Sequence, residues 1–402
     1  MDIERQSTAA LTSTAPERHR FHLLDGLRGV AAVLVVLYHV PLVLRPWLPN
    51  FNGWLAVDFF FCLSGFVIVF SYEDKLLSGM SLGRFLVVRL IRLYPLYFFG
   101  LLLGTVSSII SARAGILLGV SIREILLVSL TGFLLVPNIA IHWPIPYCFP
   151  LDVPAWSLFL EILANVAFAV WVRLRLATTA FFIVMSVLCL GLWVRAAASV
   201  GQNLHLGYEI PTFAVGLARV GSSFCLGVVV FRLYVYAGRP RSSGKARWIL
   251  PVVATAALVG ALVNPFSFSS SLLYQAVTIA ILFPATVLVG ACCALPRRFH
   301  KLCTFLGEFS YPLYILHSPI IGPLTGRKVQ VLLPRYGIPS LIAISIICVC
   351  LIIVAHIAGK GDSIIRRKLT LMFSPRAAGP AKVHSISEQL FTMDDSRPDE
   401  AT

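Results

Sequence analysis

Three residues that a lipid bilayer disfavours, Asp25, Arg28 and His39, sit inside the apolar stretch LDGLRGVAAVLVVLYHV, residues 24–40. An ionisable side chain within a membrane span is costly and marks a functional position by default. Arg28 and His39 are eleven residues apart. On an α-helix that spacing is about 20° of azimuth and about 16 Å of rise, so both side chains share one face. The chemistry open to such a face is charge recognition at one end and proton transfer at the other. Imidazole titrates near neutral pH and suits a general base acting on a hydroxyl group. The plainer reading of Arg28 is an anchor that snorkels to the interface.

Four further groups carry chemistry. In RLIRLYP, Arg89 and Arg92 are three apart and so neighbours on one helix face. Two guanidiniums there form a clamp for phosphate or carboxylate, because each is a fixed charge with paired donors; a doubled topological anchor is the bland alternative. In PAWSLFLEILAN, Ser157 and Glu161 are four apart, again on one face, with Trp156 beside them. A carboxylate at that depth needs a cation, and the candidates are Arg28, Arg89, Arg92 and the two intramembrane histidines. In GEFSYPLYILHSPI, Tyr311, Tyr314 and His317 follow one stripe beside Glu308 and Ser310. The tyrosines alone fit an interfacial aromatic belt, whereas His317 does not. In VDFFFCLSGFVI, Asp58 comes early in an apolar run and Ser64 and Gly65 in its middle; close helix packing accounts for Gly65, and only Asp58 suggests chemistry.

The elements that must position these residues are helices. Apolar runs of about 20 residues, enough to cross a bilayer, fall near 24–44, 54–72, 85–110, 155–172, 178–198, 211–236, 248–264, 272–294, 305–325 and 337–357. The expected fold is therefore an all-α bundle of about ten transmembrane helices. Residues 124–136 are too short to cross and read as a re-entrant or interfacial piece. With that segment on one side, most Lys- and Arg-bearing linkers fall together, and the positive-inside rule places both termini in the cytoplasm. The linker with Arg327, Lys328 and Arg335 runs against the trend. The linker 137–154, which lacks Lys and Arg, is expected outside.

Composition agrees. Of 402 residues, 58% are hydrophobic and only 13% charged, far from the roughly 25% charged residues of soluble domains. The net charge of +15 resides in the short linkers, a pattern that sets topology and does not call for nucleic acid. The nine cysteines show no CxxC or Cys/His spacing, so neither a disulfide framework nor a metal site is expected. No cleavable signal peptide and no internal repeat are apparent. The expected organisation is a polar cytoplasmic segment over 1–22, a membrane domain over 23–358 and a basic, disordered tail over 359–402.

Taken together the motifs resemble the type 3 acyltransferase family of polytopic membrane proteins. The resemblance rests on Leu24, Asp25, Leu27, Arg28, Gly29 and His39, on Val57, Phe60, Phe61, Leu63, Ser64, Gly65 and Phe66, and on Arg89, Arg92, Leu93, Tyr94 and Pro95. It continues through Trp156, Ser157, Leu158 and Glu161 to Ser310, Tyr311, Tyr314, His317 and Pro319. Ile315 departs from the leucine usual in the last motif. The resemblance implies transfer of an acyl group, usually acetyl, from a cytoplasmic acyl-CoA to a hydroxyl of an envelope or exported carbohydrate or glycolipid. Acetyl-CoA would be a co-substrate, and no permanently bound cofactor is implied. The bilayer, in a bacterial inner membrane, would be the setting. On this reading Arg28, Arg89 and Arg92 hold the CoA phosphates, and His39, Glu161, Tyr311, Tyr314 and His317 form the catalytic set. Asp25, Asp58, Ser64, Trp156, Ser157 and Ser310 support them. Ser310, Tyr311 or Tyr314 would supply an oxyanion donor or carry a transient acyl group. A competing class is a proton-coupled transporter or flippase of a sugar-containing substrate, with His39, Glu161 and His317 as a proton relay; it leaves Arg89 and Arg92 without a phosphate-bearing ligand.

Overall fold

The computed structural model describes residues 20–42, 51–201, 203–264, 271–322 and 340–373. The linker with Arg327, Lys328 and Arg335 lies outside the described residues. Among those described there is no sheet; one isolated antiparallel bridge joins Tyr147 to Glu209. The helices are α1 (His22–His39), α2 (Ala56–Leu77), α3 (Leu82–Arg113), α4 (Ile122–Phe133), α5 (Ala155–Arg173), α6 (Thr179–Ser199), α7 (Phe213–Tyr236), α8 (Ala246–Val263), α9 (Leu272–Val277), α10 (Phe283–Cys292), α11 (His300–Ile321) and α12 (Ser340–Phe373). A five-residue π segment, Thr278–Leu282, joins α9 to α10, making one rod.

Among the described residues nine helical segments are long and apolar enough to cross a membrane. The protein is an all-α, multi-pass integral membrane bundle. The tenth expected crossing is α11. Its 22 residues suffice in length, but Lys301, Glu308, Ser310, Tyr311, Tyr314 and His317 keep it outside the apolar set. Such a helix is tolerated when its polar stripe faces the protein interior, and Ser310 and His317 are buried. Helix α4 has 12 residues, about 18 Å of rise against a hydrocarbon core of about 30 Å. It does not cross. A capping box closed by Ser121 and Glu124 starts it, and Tyr94 and Tyr97 of α3 donate to the carbonyls of Phe133 and Gly132 at its far end. Helix α12 passes residue 358 unbroken and continues to Phe373, the last described residue.

Two close helix pairs set the core. Helix α1 lies along α11 so tightly that a Cβ on Gly29 would sit 2.5 Å from Leu306 Cβ. Helix α2 meets α7 just as closely: a Cβ on Gly65 would be 2.0 Å from the Phe224 carbonyl oxygen, and one on Gly227 1.9 Å from that of Cys62. Without a side chain these backbones gain dispersion contact, the main attraction between helices in lipid. Helix α3, with α12 beside it, packs on α11, and α5 packs on α2 and α3.

Candidate functional site

The α1/α11 contact aligns two polar clusters. At the N-terminal half of α1, Arg28 donates from Nε to Ser310 Oγ (2.9 Å) and from a terminal nitrogen to the Gly307 carbonyl (2.6 Å). It also lies 3.3 Å from Asp25. Asp25 in turn is held by Arg20 at 2.7 Å. The absence of a side chain at Gly307 lets Asp25 in, since a Cβ there would be 2.7 Å from Asp25 Cβ.

Helices α3, α5 and α2 complete this end. Arg89, buried, donates to Glu161 Oε1 at 2.8 Å, and Ser64 donates to the same oxygen at 2.8 Å. Glu161 thus finds its cation, as a carboxylate at that depth must. Arg92 lies one turn further along α3, within electrostatic reach of Arg28, Arg89 and Arg366. It has neither a hydrogen bond nor a carboxylate partner among the described residues. Each of its three neighbours does: Asp25 for Arg28, Glu161 for Arg89 and Asp362 for Arg366.

The second cluster is about three turns along α1. The rings of His39 and His317 are 4.7 Å apart at 53°. His39 Nδ1 is 2.9 Å from the Val35 carbonyl, and His317 Nδ1 is 2.5 Å from that of Tyr314. A carbonyl only accepts, so each Nδ1 carries the proton and each lone pair resides on Nε2. His317 Nε2 is buried with no hydrogen-bond partner among the described residues. Two neighbouring acceptor nitrogens suit a hydroxyl group that brings its own proton.

Between the clusters, Tyr314 and Ser157 are 2.6 Å apart. Ser157 gives its single hydroxyl proton to the Pro154 carbonyl at 2.9 Å, so Tyr314 is the donor to Ser157. Tyr311 donates to the Leu93 carbonyl at 2.5 Å, and Ser310 to that of Gly307 at 2.7 Å. All three hydroxyls expected as oxyanion donors are thus engaged. Tyr314 is the easiest to redirect, because its acceptor is another hydroxyl and not a main-chain carbonyl.

Asp58 and Trp156 belong to a third group, centred on Arg219, which is within electrostatic reach of Tyr314 and His205. Asp58 forms a two-pronged ion pair with Arg219 of α7, at 2.9 and 2.8 Å, and neither side chain is exposed. Trp54, Trp156 and Trp193 surround the Arg219 guanidinium at 5.3, 5.0 and 5.3 Å. This is a structural post behind the site. Sequence reasoning passed over Arg219 although an arginine inside an apolar run was itself the signal. Arg366 stands in a basic stretch, Arg366, Arg367 and Lys368, that the positive-inside rule alone would account for. A third omission is Asp152, in the loop ahead of α5, which is 1% exposed and whose two oxygens have no hydrogen-bond partner among the described residues.

Comparison with known proteins gives a consistent picture. A family model described as an acyltransferase domain matches residues 21–358. Protein 2 in the picA locus of Rhizobium radiobacter is 36% identical over 169 residues, 40% of this chain and 86% of that protein. ORF330 of Acidianus two-tailed virus, whose name proposes an acetyltransferase, is 24% identical over 303 residues, 72% of this chain and 80% of that protein. No solved structure matches.

Proposed function

The chain belongs to the acyltransferase family whose model spans residues 21–358, and from that premise we propose that it moves an acetyl group from acetyl-CoA to a hydroxyl of a carbohydrate or glycolipid. The observation that carries this reading is Arg92, an uncompensated guanidinium among three compensated ones, joined through α1 and α11 to a pair of histidines. Arginine cannot discharge itself, so a half-buried cluster of this sign calls for an anion. The pyrophosphate and 3′-phosphate of CoA supply it, with bidentate geometry to match.

In the proposed reaction the acceptor hydroxyl donates its hydrogen bond to His39 Nε2. His39 takes the proton as the oxygen attacks the thioester carbonyl, a C–O bond forms, and the C–S bond breaks. The imidazolium then returns the proton to the leaving CoA thiolate, so protons and charge balance. His317 orients the acceptor from the other side, and Tyr314, turned from Ser157, donates to the developing oxyanion. Direct transfer is favoured over an acyl-enzyme, because Ser310, Tyr311 and Tyr314 each donate to groups that are not bases able to activate them. Beside His39, Tyr38 meets His205 edge-on, and Trp54 and Tyr208 each stack on His205, an aromatic group that would border the acceptor sugar. The arginine end would face the cytoplasm, with both termini, in a bacterial inner membrane.

The test uses purified protein in lipid nanodiscs with acetyl-labelled CoA and a panel of glycosides. Wild type should bind acetyl-CoA and move label to a sugar hydroxyl. His39→Gln should bind equally well and lose transfer by a factor on the order of 10² to 10⁴. A folded wild type that binds no acetyl-CoA would refute the reading.

A further inference from the structure

Helix α12 divides its cations unevenly beyond its apolar stretch. Lys360, Arg367 and Lys368 are exposed, as topological anchors should be. Arg366 is turned inward, its side chain 21% exposed. It continues a stripe in which Leu351, Ala355, Asp362 and Thr370 are all buried, recurring at the three-to-four-residue spacing of one helix face. Along that stripe Gly359 lies against α11, where a Cβ would be 3.2 Å from Pro312 Cγ. One turn on, Asp362 pairs with Arg366 while only 1% of its side chain is exposed. An ion pair within a surface helix does not require a buried carboxylate. Its burial shows that this end of α12 is covered, and the helices packed against α12 are α11 and α3. Asp362 is within electrostatic reach of Tyr311, whose hydroxyl is bonded to the Leu93 carbonyl next to Arg92. Arg366 is within reach of both Tyr311 and Arg92.

We infer that Arg366 is the fourth guanidinium of the phosphate-binding site, and that the end of α12 forms one wall of it. The inference rests on the donor-site reading of Arg28, Arg89 and Arg92 and extends it to the part of α12 that lies past its apolar stretch. Four guanidiniums from α1, α3 and α12, one of them without a carboxylate partner among the described residues, suit a ligand with more than one phosphate. Phosphate oxygens also occur on anionic lipid headgroups, and the proposal commits to the nucleotide part of CoA.

The experiment titrates CoA and phosphate-free pantetheine into nanodiscs of phosphatidylcholine, with and without phosphatidylglycerol. Arg366→Ala should weaken CoA binding about tenfold, the scale of one charge-assisted bond, and leave pantetheine unchanged. Arg366→Lys should recover part of the loss, and the exposed neighbours Arg367→Ala and Lys368→Ala should bind like wild type. In wild-type protein, saturating CoA should slow phenylglyoxal modification of Arg366 as read by mass spectrometry, a measurement independent of whether the variants fold. If Arg92→Ala loses CoA while Arg366→Ala does not, the α12 wall is wrong and the donor site stands. If wild type binds no CoA, or Arg92→Ala binds it fully, the donor reading itself fails and takes this inference with it. Loss of retained phosphatidylglycerol from Arg366→Ala at unchanged CoA affinity would make Arg366 a lipid contact and overturn the proposal.

Discussion

Two groups of arginines lie within this bundle, and their surroundings differ in kind. Arg219 has two bonds to Asp58, one to the Leu206 carbonyl at 3.0 Å and one to that of Trp54 at 3.3 Å, with indole rings around it. Nothing there awaits a ligand. Arg92 has three like charges for neighbours and, among the described residues, no carboxylate of its own. The difference teaches that an arginine in a membrane span is not in itself a functional mark. What separates a post from a binding site is whether the protein has already spent the donors. The same test sorts the acids: Asp58 belongs with the post, and Glu161, shared between Arg89 and Ser64, belongs with the site.

The comparison breaks most visibly at the post. Removing one member of a buried pair leaves an uncompensated charge, at a cost of about 3–5 kcal/mol. Asp58→Asn and Arg219→Gln should each lose most folded protein, read by fluorescence size-exclusion and melting temperature. The double change Asp58→Leu with Arg219→Met should be milder than either single change, since it removes both charges. If Asp58→Asn were as stable as wild type and lost only transfer, Asp58 would belong with the site and not with the post.

At the binding site the expected effects exchange places. Arg92→Ala removes a guanidinium that three neighbours repel, so the ligand-free melting temperature should hold or rise. CoA affinity should fall by about 10- to 100-fold, the range of a hydrogen bond to a charged group. Arg92→Lys should restore it only in part, because the ammonium lacks the paired donors. Isothermal titration in nanodiscs measures both. Unchanged affinity in the two variants would reduce Arg89 and Arg92 to topological anchors.

How far the sequence reaches follows the same division. Helices such as α2 and α6 announce themselves by length and hydropathy, and α4 shows its shortness directly. Helix α11 is legible from the run 305–325 and from its motif, although the side chains that make it useful also lower its hydropathy. Within the site, the shared face of Arg28 and His39 follows from helical period alone. The meeting of His39 with His317 depends on α1 touching α11, which Gly29, a residue without a side chain to read, permits, and the meeting of Arg89 with Glu161 depends likewise on α3 lying against α5. Arg366 was hidden for a different reason: in the string RRK, one inward-facing arginine looks like two outward-facing neighbours.

Asp152 sharpens the comparison from the opposite sign, with the smallest expected effect. Like Arg92 it has no partner of opposite charge among the described residues, but unlike arginine a carboxyl can shed its charge by keeping a proton. Burial pushes Asp152 well above the ordinary carboxylate range, so it is held as the neutral acid, next to Gly100, where a Cβ would be 2.9 Å from its Oδ2. The sign follows from linkage. The folded-state value is raised, so the unfolded chain gives up this proton first. The stabilising contribution is complete below the unfolded value of about 3.9 and is lost as pH rises through the folded one. Asp152→Asn mimics the neutral acid at every pH. Near neutral pH it should be at least as stable as wild type, and its melting temperature should fall less between pH 4 and pH 8. Equal slopes in the two proteins would mean that Asp152 is charged in the fold and has found a cation, and a buried carboxylate here would then need the same explanation as Glu161.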